Sequence, residues 1–144
     1  MIYADHAATT KISETAKLAM LSAMEKDWYN PSSLYTPGQQ ASGTLMDARV
    51  RIAHCLGCLP KEIYFTSGGS EADNQAILSA AAIGKRQGKM HIISTAFEHH
   101  AVLHTLKKLE KEGFEITLLD VGEKGIVSPA QVEKVIRPDT ALVT

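Results

Sequence analysis

Apolar residues recur every three or four positions through Ile12, Ala16, Ala19, Met20, Ala23 and Met24, predicting a helix from about residue 13 to 26 with those side chains on its inner face. A second helical stripe, Ala41, Leu45, Ala48 and Ile52, ends near Gly57. Thr36-Pro37-Gly38-Gln39 ahead of it places a hydroxyl at the N-cap, proline at the first helical position and glutamine at the third. Ser128-Pro129-Ala130-Gln131 repeats that signal before Val132, Val135 and Ile136, predicting a helix that stops before Pro138. Short apolar, partly β-branched runs of strand length lie at 62–65, 91–94, 115–119 and 141–144. Helical patterns separate them, from Ser70 to about Gly84 and from His100 to about Glu112, the latter carrying Val102, Leu103, Leu106 and Leu109. A β-α-β-α-β-α-β alternation predicts the α/β class, with a largely parallel sheet and crossover helices. Helices and an N-terminal arm occupy about 1–57, and a loop-and-sheet segment about 60–144. The last strand has barely begun at Thr144, as expected of a chain cut within a larger domain.

Composition narrows the function classes. With 144 residues, 44% of them hydrophobic and 22% charged, the chain is long enough to bury a core. Fifteen Lys and Arg against 16 Asp and Glu leave a net charge of −1, so no basic excess is available for a nucleic-acid partner. No basic-then-apolar leader opens the sequence, and no apolar run approaches the ~20 residues of a membrane span, so a cytoplasmic chain is expected. Two cysteines, Cys55 and Cys58, are too few for a disulfide framework. They fall at a predicted helix C-terminus, where the dipole disfavours a thiolate, and no second pair accompanies them for zinc.

Two clusters carry candidate chemistry. Thr66-Ser67-Gly68-Gly69-Ser70 runs from a predicted strand into a predicted helix, where small residues expose amides to an anion and Ser70 adds a hydroxyl. It is neither a Walker loop nor a dinucleotide fingerprint, which disfavours a nucleoside triphosphate. An ordinary βα turn with Ser70 as a helix cap is the alternative. The second cluster, Glu98-His99-His100 with His104 one turn on, also follows a strand and precedes a helix. His100 and His104 have the i, i+4 spacing of metal ligands, yet no third ligand has an evident spacing, and no metal is expected. The residues alone leave His99 either as a helix cap or as a ring presented to a planar cofactor.

In this order and spacing the clusters resemble the cysteine desulfurase family of pyridoxal-phosphate enzymes, within the class-V aminotransferase group. The resemblance extends through Asp5-His6-Ala7-Ala8-Thr9-Thr10, Asn30-Pro31-Ser32-Ser33 with Gly38, Ala48-Arg49, the stretch from Glu62 to Asn74, and Glu98-His99-His100-Ala101-Val102-Leu103. It implies the N-terminal part of a fold-type-I large domain, with pyridoxal 5'-phosphate as cofactor. It further implies that Gly69 and Ser70 bind the cofactor phosphate and that His99 stacks on the pyridine ring and moves protons. Family members take sulfur from L-cysteine, release L-alanine and carry the sulfur as an enzyme persulfide toward iron–sulfur cluster assembly or tRNA thiolation.

His6 stands where the family usually has Asn, Lys11 where it often has Pro, and Tyr35 where it often has His. The family's cofactor lysine and catalytic cysteine correspond to positions beyond Thr144, and Lys85, Lys89, Lys107 and Lys108 sit on polar faces or at helix ends, poorly placed to replace that lysine. The resemblance therefore implies a chain inactive alone, acting as a homodimer or with a complementing C-terminal chain, with an iron–sulfur scaffold or other sulfur acceptor as a further partner. Other readings are a non-catalytic phosphate-binding or dimerising module, and a selenocysteine lyase or aminotransferase of the same group. Uncovered strand edges and apolar helix faces predict that the chain alone self-associates.

Overall fold

The computed structural model describes residues 2–144; Met1 lies outside them. The chain forms two units, Met1–Tyr64 and Phe65–Thr144.

In the first unit, α1 (Glu14–Lys26) starts at Ser13, whose hydroxyl accepts the Ala16 amide at 3.2 Å. No residue of α1 is buried, so the predicted inner face, with Met20 and Met24, is exposed. Its C-cap, Asp27, accepts hydrogen bonds from Gln40 and Thr44 of α2 (Thr36–Leu56) at 3.2 and 3.1 Å. α2 ends at Gly57, as the sequence predicts, but Thr36 is already helical and Tyr35 takes the cap position without a side-chain bond. The Gln39 side-chain amide donates to the Leu34 carbonyl at 2.9 Å, tying the entering chain to the first turn. Gly38 is buried because a Cβ there would come within 2.6 Å of Ser33 Cβ and 2.8 Å of the Asn30 carbonyl oxygen. The Asn-Pro-Ser-Ser loop thus folds directly onto this glycine. A 3-10 turn, Pro60–Glu62, follows α2, and Arg49 Nε donates to the Ile63 carbonyl at 3.1 Å. The strand expected at 62–65 is absent: the backbone is partly extended but no neighbouring strand pairs with it among the described residues.

The second unit is a parallel three-stranded sheet with helices. Its elements are α3 (Gly69–Arg86), β1 (His91–Thr95), α4 (His100–Lys111), β2 (Glu115–Leu119), α5 (Pro129–Glu133) and β3 (Thr140–Val143), with strand order β2-β1-β3. Three strands rather than four confirm the α/β class while correcting the alternation. α5 has the predicted capping box between Ser128 and Gln131, but stops at Glu133, and Val135 and Ile136 fall in the following turn. Ile77 and Ala81 of α3, Val102, Leu106 and Leu109 of α4, Ile92 of β1 and Phe114 form one core, and burying each large aliphatic stabilises by about 1.5–3 kcal/mol. Gly84 brings α3 against β3: any Cβ there would collide with that of Ala141. No helix among the described residues is long and apolar enough to cross a membrane.

Candidate functional site

α3 begins one residue earlier than the sequence suggests. Gly68, not Ser70, is its N-cap, and glycine offers no side chain to the first-turn amides. Ser70 therefore occupies the second helical position, where its own amide is among the four with no intrahelical acceptor. Glu71, at the third, turns back: its carboxylate accepts both the Ser67 hydroxyl and the Ser67 amide at 2.6 Å. Those bonds, the side-chain one foremost, hold the Glu71 carboxyl below its ordinary pKa. They also fix the approach of the chain into the helix, while Thr66 Oγ1 donates to the Gly68 carbonyl at 3.1 Å.

His99 is the N-cap of α4, and its Nδ1 accepts the Ala101 amide at 3.1 Å. With Nδ1 an acceptor, the neutral ring carries its hydrogen on Nε2. The helix-cap reading is thus correct, and it leaves the Nε2 side of an exposed ring available. Ser70 and Asn74 of α3 and His99, His100, His104 and Lys108 line one open cavity of about 380 Å³. The structure therefore brings Ser70 and His99 to a common space, with Gly69 opening the helix beside them. His100 and His104 stack at 5.5 Å between ring centroids, and no group of three His, Cys, Asp or Glu fit to hold a metal occurs among the described residues. Lys108 borders the cavity and pairs with Glu112 at 2.9 Å. Cys55 is exposed and Cys58 half-buried, both as free thiols at the end of α2.

Sequence reasoning assigned no role to Asn74 or Thr105, which cross-link α3 and α4 beside this cavity. The available signal was Thr105 itself, a hydroxyl buried within the Val102, Leu106 and Leu109 stripe.

A family model, class-V aminotransferase, matches residues 2–144. The chain belongs to that family. Among curated class-V relatives it is 48% identical to the putative cysteine desulfurase IscS 1 of Bacillus subtilis over 99% of its length, and 45% identical to the cysteine desulfurase IscS of Methanosarcina thermophila over 99%. The chain spans 38% and 35% of the length of these two relatives, matching their N-terminal part. Among solved structures, a NifS-like protein superposes with a TM-score of 0.89 at 34% identity, covering 96% of this chain and 38% of that one. The structure titled SspA in complex with cysteine gives 0.88 at 37% identity, covering 98% and 40%. Pyridoxal phosphate is the cofactor this membership implies, and the class-V chain described here fits its phosphate. The first turn of α3 is uncapped, a Cβ on Gly68 or Gly69 would meet nothing within 4 Å, and the Ser70 hydroxyl has no partner among the described residues.

Proposed function

We propose that this chain forms the phosphate-binding side of the pyridoxal-phosphate site of a cysteine desulfurase, which takes sulfur from L-cysteine, gives L-alanine and leaves a persulfide on an enzyme cysteine. The observation that carries this reading is the shared cavity of Ser70, on the uncapped turn of α3, and His99, at the head of α4. The cofactor supplies, when bound, the electron sink for breaking the carbon–sulfur bond. Gly69 and Ser70 hold its phosphate through first-turn amides and the Ser70 hydroxyl, aided by a helix field of roughly 0.3–2 kcal/mol. His99 lays its ring on the pyridine and holds a proton at Nε2, from which it passes to the substrate side of the site.

The cofactor-anchoring lysine and the sulfur-accepting cysteine lie, on this reading, outside these 144 residues. Lys108, the lysine beside the cavity, is engaged by Glu112. The chain alone therefore does not turn over cysteine and works within a larger assembly, as a homodimer or with a complementing chain, passing sulfur to an iron–sulfur scaffold or thiolation acceptor. Titration with pyridoxine 5'-phosphate, which has no aldehyde to react with surface lysines, tests the site. We expect saturable binding that Ser70→Ala and His99→Ala each weaken about tenfold, the effect of losing one contact to a charged or stacked group. Binding that neither substitution changes would remove these residues from the site.

A further inference from the structure

The two halves of the cavity are tied together by one side chain. Asn74, on α3, donates through Nδ2 to the Ser70 carbonyl at 2.7 Å and to the Ala101 carbonyl of α4 at 3.5 Å. Thr105 Oγ1, with the residue 4% exposed, lies 2.6 Å from Asn74 Oδ1 and 2.8 Å from the Ala101 carbonyl, sharing its hydrogen between them. The two carbonyls fix the amide's orientation by demanding its nitrogen, which leaves its oxygen to accept the Thr105 hydroxyl. Ala101 also donates its amide to His99 Nδ1 at 3.1 Å. Hydrogen bonds therefore tie the Ser70 carbonyl to Asn74 and Asn74 to Ala101, the residue whose own amide is bonded to the His99 ring.

We propose that Asn74 and Thr105 are positioning residues that hold the phosphate-binding turn of α3 and the His99 ring at the spacing one pyridoxal phosphate requires. The inference rests on the cofactor reading above. Both residues stand in the cavity wall, and the role assigned to them is to set the distance between Ser70 and His99, the groups that hold the cofactor. Without these contacts α3 and α4 are joined by apolar packing, which fixes helix spacing less sharply than directed bonds between their first two turns. A ligand reaching both ends senses that spacing, whereas a ligand at one end does not.

Two probes separate these cases in the 144-residue chain: pyridoxine 5'-phosphate, which spans Ser70 and His99, and inorganic phosphate, which needs only the α3 turn. Asn74→Ala and Thr105→Val are expected to weaken the first about tenfold and the second less than twofold, with Thr105→Ser, which keeps the hydroxyl, restoring binding. Urea midpoints measured alongside identify any loss due to unfolding. Slow hydrogen exchange of the Asn74 side-chain amide in the unmodified chain is expected as well, and provides a reading that needs no variant. Equal loss for both probes, unchanged binding in the variants, or rapid exchange of that amide would overturn the positioning role. Failure of the unmodified chain to bind either probe would instead overturn the cofactor reading, and this proposal with it.

Discussion

His91 sits at the head of the central strand, fully buried, with Nδ1 2.8 Å from Thr140 Oγ1 on β3 and Nε2 2.8 Å from Thr117 Oγ1 on β2. Thr140 Oγ1 also accepts the Arg137 amide at 2.8 Å. One imidazole thus joins all three strands. His91→Leu leaves two half-buried hydroxyls without this partner and is expected to cost about 1–3 kcal/mol, read as a lower urea midpoint; an unchanged midpoint would show that the bridge is dispensable. Nothing local in the sequence pointed to it, because Thr117 and Thr140 are 26 and 49 residues away. The Asn74–Thr105 contact, spanning 31 residues, was hidden for the same reason. That Gly69, Ser70 and His99 stand at helix starts was legible because a glycine turn and a capping residue declare themselves within a few positions.

Elements were legible to the degree that their causes are local. β2 and α4 fall at or within a residue of their predicted bounds, set by alternation, stripe and cap. The run at 62–65 has strand composition but no strand beside it, and extended backbone becomes a strand only through a partner. Carboxylates secure two element junctions. Glu71 holds the entry to α3, and Arg137 bridges Glu115 of β2, at 2.6 Å, and Asp139 just before β3, at 2.9 Å. Hydrogen bonds from Arg137 hold both of those carboxyls below their ordinary values, and in turn push the guanidinium up, Glu115 contributing most. A carboxyl depressed in the folded state stabilises it above the unfolded pKa, near 4, and that contribution is lost as pH falls through the lower folded value. Urea midpoints are expected to hold from pH 7 to 5 and decline below about pH 4, with a shallower decline in Glu71→Gln. A midpoint constant down to pH 3 would contradict these assignments.

Across the whole molecule, apolar surface exceeds what the chain itself covers. Leu18, Met20, Leu21 and Met24 of α1 and Met46, Val50 and Leu56 of α2 are all exposed, and the chain spans 38% or less of the curated relatives described above. Such surface calls for a covering layer. The isolated chain is expected to self-associate, and light scattering showing a clean monomer at micromolar concentration would contradict that. The fold class was legible because strand and helix patterns alternate, and the family because its motifs run in order from Asp5 to Leu103. What covers the exposed faces was not legible, since a periodic stripe shows that a face is apolar but not what packs on it. The central claim is that the Ser70 turn and His99 form half of a desulfurase site. Its most direct test is alanine release from L-cysteine, with pyridoxal phosphate and a thiol reductant present, by this chain mixed with the remaining part of a class-V cysteine desulfurase. We predict no alanine above blank from the chain alone, alanine from the mixture, and loss of it on His99→Ala; alanine from the chain alone, or none from a mixture that demonstrably assembles, would contradict the claim.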